Sequence, residues 1–284
     1  NSGDDSLASI SCIPHLKRIC NSVNRGFAAG QNQGIAAASG RFVLALNYDI
    51  ALGDDFIQEL TSALNRTPEA GWACGKMLNM LPDGSRLDSF YAAGHMLADD
   101  RFSFLRANGM PDHGQHDRMD FVFGAPGAAA LYKREFIEDI AIDGQFFDER
   151  YFTWYEDVDI DWRGQAAGWK CLFVPQALAY HVGHVGEVYA EPYKSWRARY
   201  GIRNRWLLIA TNESCTELQR VWPALLRYEL SSLLFVVRTG LVRAYLAALL
   251  QLIRDVPHIL RRRELQRTKG HRGNTQVWAA GGKR

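Results

Sequence analysis

Two short acidic stretches hold the residues whose types and spacing could do chemistry. The first, Asn47-Tyr48-Asp49, directly follows the apolar run RFVLAL. In an extended chain alternate side chains lie on one side, so Asn47 and Asp49 face together and Tyr48 faces away. A carboxylate beside an amide oxygen can bind a divalent cation, and the cation can bind a diphosphate. Asn and Asp also favour turns, so this pattern alone leaves a plain turn open.

The second stretch places Glu156, Asp157, Asp159 and Asp161 within six residues. At helical spacing Asp157 and Asp161 share one face. The aromatic run YFTWY lies directly before the acids, and apolar surroundings raise the pKa of a carboxylate, as a general base requires. Acidic residues also stabilise a helix N-terminus by themselves. The stretch therefore predicts a general base or a purely structural acidic helix start.

Four histidines are further candidates. His181 and His184 follow an apolar run that is typical of a buried strand, where a histidine is either structural or a ligand. His113 and His116 have a spacing that would suit a metal ion on a helix. Gly114 and the surrounding turn residues instead favour a solvated loop.

Elements of alternating type must position these residues. Between Leu16 and Asp49 the chain reads as a strand (LKRIC), a small glycine-bracketed helix (GFAAGQNQGIAAASG) and an apolar strand (RFVLAL). This order is typical of a βαβ unit with a parallel sheet, in which RFVLAL is a central strand covered on both faces.

The same alternation continues along the chain. The helix DDFIQELTSALNR is followed by a strand (GWACGKMLNM), a polar excursion over residues 81–119, a strand leading into a helix (MDFVFGAPGAAALYKREF) and a further strand (KCLFVP). The predicted fold class is α/β, with a mostly parallel sheet and flanking helices. In such sheets ligands bind beyond the carboxyl ends of the strands, where Asn47 and Asp49 lie.

Composition excludes some classes of function. The 284 residues carry a net charge of +2, which gives no argument for nucleic acid as a partner. The five cysteines have neither metal-ligand nor redox spacing, so we expect reduced thiols and a cytoplasmic protein. No apolar run reaches the roughly 18–20 residues that cross a bilayer.

The C-terminal part differs in character. Long helical segments rich in Leu and Arg begin near Pro192. We expect an α/β domain over residues 1–190, a helical region over 191–268 and a flexible tail over 269–284. Leu-rich helices with spaced arginines favour a helical hairpin lying on an anionic membrane surface, but packing against the α/β domain or a second subunit stays open.

Five stretches in order resemble one known family. The chain resembles the inverting, family-two glycosyltransferases of the GT-A fold, and within them the rhamnosyltransferase-like enzymes of bacterial surface polysaccharide assembly. The resemblance extends from residue 1 to about residue 210. It is carried by NRGFAAGQNQGI, GRFVLALNYD, GAPGAAALYKREF, FDERYFTWYEDVDIDWR and GWKCLFVPQALAYH.

The resemblance implies a role for each candidate residue. Asp49 would bind Mg²⁺ or Mn²⁺ on the diphosphate of a nucleotide sugar, with His181 completing the metal site. Glu156 and Asp157 would provide the catalytic base, and we favour Asp157. Substrate binding is implied for a larger set: Asn24, Gly26, Phe27, Asn32, Asn47, Gly127, Ala128 and Trp154.

The implied activity is transfer of a sugar, with inversion, from a dTDP- or UDP-sugar to a hydroxyl of a saccharide or lipid-linked saccharide. The cation would neutralise the leaving diphosphate, and the base would take the acceptor proton. The enzyme would be peripheral at the inner face of the cell membrane. A GT-A-like nucleotidyltransferase and a non-catalytic sugar-binding or scaffold fragment are the alternative functions.

The chain departs from the family pattern in two places. Asn47 stands where many relatives have a second Asp, and Tyr48 where Pro is usual. The chain also opens at NSGDDS, which resembles the end of the family's nucleotide-gripping turn. We therefore expect the first strand, helix and second strand to be missing from this chain.

Overall fold

The computed structural model describes residues 14–182 and 193–269. Within these ranges the chain forms a central mixed sheet, a separate two-stranded sheet and seven α-helices. The strands are β1 (Phe42–Leu46), β2 (Ile50–Leu52), β3 (Ala70–Met80), β4 (Arg86–Ala92), β5 (His95–Leu97), β6 (Ser103–Leu105), β7 (Asp120–Val122), β8 (Ala129–Lys133) and β9 (Lys170–His181). The helices are α1 (Gly26–Ala37), α2 (Phe56–Arg66), α3 (Arg134–Ile140), α4 (Glu156–Ala166), α5 (Tyr193–Asn212), α6 (Cys215–Arg238) and α7 (Val242–Thr268).

The sheet confirms the α/β class but not the predicted strand directions. Its order is β1-β8-β3-β9-β2, with β4 beside β3 and β7 beside β9. Among the strand pairs of the described residues only β3 and β9 run parallel. The prediction of a mostly parallel sheet is therefore wrong for these strands. A short turn joins β3 to β4, and β8 lies between β1 and β3 and runs antiparallel to both.

Two details of the predicted βαβ unit are also wrong. Residues 16–20 are exposed and form no strand. Strand β1 pairs only with β8 in the described part of the chain, so it is an edge strand there and not a central one. Its burial is accordingly partial, and Leu46 is 40% exposed.

The core forms where helices pack on the two faces of the sheet. Helix α2 buries Phe56, Leu60 and Leu64, a spacing that places one apolar stripe against β9 and β3. On another face the Trp72 ring stacks on Phe136 with centroids 4.7 Å apart. Such aromatic contacts join strand β3 to helix α3.

Helix α4 approaches the sheet very closely. A Cβ on Gly164 would lie 2.8 Å from the Trp72 side chain, so a larger residue there would displace the helix. Most of α4 is buried, including the carboxylates of Asp159 and Asp161. The acid-started helix predicted after the aromatic run is confirmed, and its first turn faces the protein interior.

The helical region is bound to the α/β part by buried polar contacts. Within the helical region, Arg203 of α5 forms a 2.5 Å ion pair with Asp255 of α7, and this pair joins the two helices. Glu213, just after α5, accepts a 2.6 Å bond from buried Arg101. Breaking one member of such a buried pair costs about 3–5 kcal/mol. None of the helices in residues 14–182 and 193–269 is both long and apolar enough to cross a membrane.

Candidate active site

The end of β1 and the start of β2 place the first acidic stretch. The Asn47 backbone N–H donates to the Ala128 backbone carbonyl at 2.8 Å, and this bond fixes the end of β1 beside the segment before β8. Tyr48 is 97% exposed and points away from the protein. Asp49 lies directly before β2, whose first residue, Ile50, pairs with His181 at the end of β9.

Asp49 and His181, which the family resemblance links as metal ligands, are in contact. The Asp49 Oδ2 atom lies 3.2 Å from His181 Nε2. The imidazole is buried, and the Asp49 side chain is 18% exposed. The second carboxylate oxygen, Asp49 Oδ1, is buried without a hydrogen-bond partner. An orphaned carboxylate oxygen of this kind fits a bound cation, because it is otherwise an uncompensated charge.

The donor set suits Mg²⁺ or Mn²⁺ only in part. Carboxylate oxygen is a ligand for both ions, and imidazole also binds transition metals. Within the described ranges no three His, Cys, Asp or Glu side chains gather into a metal-binding group. Asp49 and His181 would therefore hold a cation together with oxygens from outside the protein, such as those of a diphosphate.

The second acidic stretch places Asp157 at the first turn of α4. Its Oδ2 atom accepts a hydrogen bond from the Gly127 N–H at 2.9 Å, and its Oδ1 atom accepts one from the Val158 N–H at 2.8 Å. A Cβ on Gly127 would lie 3.3 Å from the Asp157 side chain. Two residues predicted from separate stretches thus lie in contact, and a larger residue at Gly127 would crowd the carboxylate.

Glu156 lies in a different environment from its neighbour. It is 5% exposed, and its Oε2 atom has no hydrogen-bond partner. Burial raises the pKa of Glu156 well above its usual value, and the adjacent Asp157 charge raises it further. Both causes favour the neutral acid. Asp157, which is partly exposed and accepts two backbone hydrogen bonds, is therefore the better candidate for the base.

Tyr91 of β4 connects the two acidic stretches. Its ring meets the His181 ring edge-on with centroids 4.0 Å apart. Burial raises the pKa of Tyr91 to about 12, and the charges of Asp157 and Asp49 contribute to the rise. The charges of both carboxylates thus act on the Tyr91 side chain, so the predicted base and the predicted metal pair face one site.

Sequence reasoning missed Tyr91 and also His95 of β5. His95 lies between two carboxylates: its Nδ1 is 2.7 Å from Asp161 Oδ2, and its Nε2 is 3.7 Å from Asp157 Oδ2. Both residues belong to the excursion over residues 81–119. Its polar composition gave no strand pattern, so strands β4 to β6 were not predicted. The dipeptide Gly94-His95, between apolar residues, was the one local signal.

The turn before α4 has unusual backbone geometry. Phe152, Trp154 and Tyr155 have φ values of 66°, 65° and 72°, a region that non-glycine residues rarely occupy. The buried Asn204 amide of α5 donates to the carbonyls of residues 151, 153 and 154. Strain of this kind persists only where surrounding contacts impose it. Helix α5 therefore holds the segment that carries Trp154 and leads into Asp157.

The residues predicted to line the nucleotide pocket lie at the start of α1. Asn24 Oδ1 accepts from the Gly26 N–H at 2.9 Å. Gly26 has φ +83°, and a Cβ there would lie 2.5 Å from Phe152. Glycine is thus required for the close approach of α1 to the strained turn.

The other two pocket candidates also contact this turn region. Asn32 exchanges hydrogen bonds with the backbone of Phe147 at 2.8 and 3.0 Å. The Phe27 ring meets the Phe147 ring edge-on at 6.0 Å. These contacts give both residues a structural role, and their role in nucleotide binding stays a prediction. His184 lies outside the described residues.

Comparison with known proteins shows a similar fold in a solved structure and then the family of this chain. The fold is similar to that in the crystal structure of GalNAc-T7 with UDP, GalNAc and Mn²⁺, with a TM-score of 0.50 and 13% identity over 67% of this chain and 35% of that one. Residues 13–208 match the family described as "Glycosyltransferase like family 2". The chain belongs to this family, as the resemblance implied.

Two curated relatives share part of the sequence. The chain is 26% identical over 193 residues to N-acetylglucosaminyl-diphospho-decaprenol L-rhamnosyltransferase of Mycobacterium tuberculosis. It is 27% identical over 164 residues to the amylovoran biosynthesis glycosyltransferase AmsB of Erwinia amylovora. The matches cover 61% and 55% of this chain, and 61% and 46% of the respective relatives. The chain thus aligns with less than two thirds of either relative.

Proposed function

We propose that this glycosyltransferase transfers a sugar, with inversion, from a nucleotide diphosphate sugar to a hydroxyl of a saccharide or lipid-linked saccharide in surface polysaccharide synthesis. The observation that carries the proposal is the meeting of two charged groups around Tyr91. The His181 ring of the Asp49–His181 pair contacts the Tyr91 ring. Gly127, which donates to Asp157, is next in the chain to Ala128, which accepts from Asn47. One group can hold a diphosphate through a cation, and the other can activate an acceptor.

Asp157 would act as the general base. Its carboxylate accepts the proton of the acceptor hydroxyl while the acceptor oxygen forms a bond to the anomeric carbon. The bond from that carbon to the diphosphate oxygen breaks, and the leaving nucleotide keeps the electron pair. A single displacement from the opposite side inverts the anomeric configuration.

Asp49 and His181 would hold the donor in place. Mg²⁺ or Mn²⁺, when bound to them, would neutralise the charge that develops on the diphosphate. The His181 ring is buried, and the partial burial of Asp49 strengthens the interaction of its carboxylate with a cation. Asn47 is hydrogen-bonded to Ala128 and lies two residues before Asp49, and Gly127 is hydrogen-bonded to Asp157. We assign Asn47, Gly127 and Ala128 to the walls of the donor and acceptor site.

The donor is a dTDP- or UDP-sugar in this proposal. The mycobacterial relative is named as an L-rhamnosyltransferase acting on a diphospho-decaprenol saccharide. The structural neighbour was crystallised with UDP, GalNAc and Mn²⁺. These names support a nucleotide diphosphate sugar as donor and a lipid-linked saccharide as one acceptor class.

The test uses the full-length gene product with a panel of dTDP- and UDP-sugars and either Mg²⁺ or Mn²⁺. Asp157→Asn should lower kcat by about 10²- to 10⁴-fold, the usual contribution of a general base. Asp49→Ala should weaken the metal dependence of turnover. Asp143→Asn is the matched control, because this half-exposed acid pairs with Arg261 on α7, outside the proposed site. NMR of the product should show the inverted anomer.

Several outcomes would contradict the proposal. Wild-type rates in both Asp157→Asn and Asp49→Ala would exclude the assigned roles, and a retained anomer would exclude the single displacement. Pyrophosphate release from a nucleoside triphosphate would favour a nucleotidyltransferase. A folded protein that binds saccharides without turning over any donor would favour a scaffold.

We also propose that α6 and α7 dock on the inner, anionic face of the cell membrane. Both helices carry an exposed apolar stripe at intervals of three to four residues, with Leu230 61% and Ile253 67% exposed. Between Trp222 and Leu260 every exposed charged residue is an arginine. This combination complements an anionic lipid surface, because arginine heads contact phosphates while apolar side chains enter the interface.

Vesicle co-sedimentation tests this docking surface. The protein should bind vesicles containing phosphatidylglycerol and bind phosphatidylcholine vesicles much less. Leu230→Glu should reduce binding, whereas Leu87→Glu, on an exposed residue of β4, should not. Equal binding by both variants, or a stable dimer that buries the stripe in ultracentrifugation, would contradict it.

A further inference from the structure

His95 is buried between two carboxylates at the centre of the site. It is 5% exposed, and its backbone N–H donates to the Gly124 carbonyl at 2.8 Å. Its Nδ1 atom lies 2.7 Å from Asp161 Oδ2, and its Nε2 atom lies 3.7 Å from Asp157 Oδ2. One ring nitrogen is therefore hydrogen-bonded to Asp161, and the other faces the proposed base, Asp157, at ion-pair distance.

Asp161 is fixed more firmly than Asp157. It is 1% exposed, and its Oδ1 atom accepts from Trp72 Nε1 at 2.9 Å and from the Ala125 N–H at 3.1 Å. A Cβ on Gly124 would lie 1.8 Å from this carboxylate, so the backbone closes over it. With Oδ2 on the imidazole, Asp161 has no freedom to rotate. The orientation of the His95 ring follows from it.

The surroundings favour a positive charge on His95. Burial alone would lower its pKa, but the carboxylates of Asp157 and Asp161 raise the pKa of His95 to about 9. Burial raises the pKa of Asp161 to about 6, and the His95 hydrogen bond opposes this rise. At neutral pH the arrangement is an imidazolium between two carboxylates.

The other titratable groups around this trio come from every neighbouring element. Cys74 of β3 faces His95, Tyr132 of β8 faces both aspartates, and Glu156 of α4 faces Asp157 and His95. Tyr91 of β4 faces Asp157, and Arg197 of α5 acts on Tyr91. Burial raises the pKa of Tyr132, Tyr91 and Glu156 and so favours the neutral form of all three. His95 lies within ion-pair distance of Asp157, at 3.7 Å.

We propose that His95 is the positioning residue of the catalytic base: held by Asp161, its imidazolium faces the Asp157 carboxylate and orients it to take the acceptor proton. This inference rests on the proposed function. The proton passes from the acceptor hydroxyl to an Asp157 oxygen, and His95 keeps both of its own protons. The imidazolium therefore acts through the carboxylate and does not touch the substrate.

A purely structural role for His95 makes a different prediction. If the residue only anchored β5 to the sheet, its replacement would lower the midpoint of thermal unfolding and the fraction of active enzyme. It would not change the shape of the pH–rate profile. A positioning role changes that shape, because removal of a positive charge within about 4–6 Å makes a carboxylate easier to protonate by roughly one pH unit or more.

The experiment measures kcat and donor KM against pH for wild type and His95→Gln. In the variant, the pH at which activity falls on the acidic side should rise by roughly one unit, and plateau kcat should fall about 10- to 100-fold. Donor KM should stay within a factor of about two, since the diphosphate site is untouched. His258→Gln is the matched control: it removes another histidine paired with a buried acid, Asp148, at 2.9 Å.

A second measurement covers a His95→Gln protein that fails to fold. In ¹⁵N-histidine NMR of the wild type, one buried ring should keep both N–H protons at about pH 8, below the pKa of about 9. In Asp157→Asn the same ring should lose its second proton at lower pH. A neutral ring at about pH 8, or an unshifted acidic limb in folded His95→Gln, overturns the inference while leaving the proposed function standing. Absence of turnover by folded wild-type enzyme overturns both.

Discussion

Replacing Asn204 by Asp should release the strained turn that carries the candidate base. The Asn204 amide donates to three carbonyls at 3.0, 2.8 and 2.8 Å, those of residues 151, 153 and 154. Aspartate has the same shape but no donor, so all three bonds become contacts between oxygens. The substitution therefore removes the interaction without opening a cavity.

The magnitude follows from the number of hydrogens. An amide NH₂ group has two hydrogens for three carbonyls, so about two hydrogen bonds are lost and buried carbonyls are left unpaired, at about 2–4 kcal/mol in total. The three residues at positive φ are then free to relax, since each stores about 1–3 kcal/mol of strain. Relaxation would move Trp154 and the first turn of α4, and kcat would fall with it.

Thermal unfolding and steady-state kinetics together test this prediction. A loss near 3 kcal/mol should lower the unfolding midpoint by roughly 6–12 °C. Asn65→Asp is the matched control, because the Asn65 side-chain oxygen accepts from Arg41 at 2.9 Å and aspartate preserves that bond. Equal unfolding midpoints and equal kcat for Asn204→Asp and Asn65→Asp would show that the Asn204 hydrogen bonds do not hold the turn.

Two further predictions concern the site itself. Glu156→Gln should lower kcat far less than Asp157→Asn, because burial favours the neutral form of Glu156 and glutamine is also neutral; equal losses in steady-state assays would contradict that assignment. Gly124→Ala should yield little folded enzyme, since its Cβ would lie 1.8 Å from a buried carboxylate, whereas Gly30→Ala in α1, with nothing within 4 Å, should be neutral or stabilising. Circular dichroism and expression yield compare the two glycine variants, and a folded, fully stable Gly124→Ala protein would show that the backbone can yield there.

The sequence predicted those parts of the site that local pattern determines. Asp49 follows an apolar run, and Asp157 begins a helix after an aromatic run, so both positions are visible within ten residues of chain. Their role assignments came from resemblance. The structure places Asp49 and His181 in contact across a long stretch of chain, and their role as metal ligands stays a prediction.

The remaining parts depend on contacts that no local pattern records. The neighbour of β1 is β8, more than 80 residues later, and their antiparallel register cannot be read from either strand alone. The excursion was expected to be an irregular segment because its strands are short and interrupted by turns. Buried Lys76 of β3 forms ion pairs with Asp112 and Asp117 of the excursion at 2.7 and 2.5 Å. These ion pairs help to hold the excursion against the sheet.

The location of Tyr91 and His95 in that excursion has a consequence for specificity. The Asp49–His181 pair and Asp157 lie at the ends of β2, β9 and α4, which the core holds rigidly. The groups that contact them from the other side come from β4 and β5, within a segment of turns and short strands. Changes in this segment that alter acceptor choice would also move His95 relative to Asp157. We therefore expect selectivity and base positioning to be coupled through this segment, and variants with altered acceptor preference should show altered kcat rather than altered KM alone.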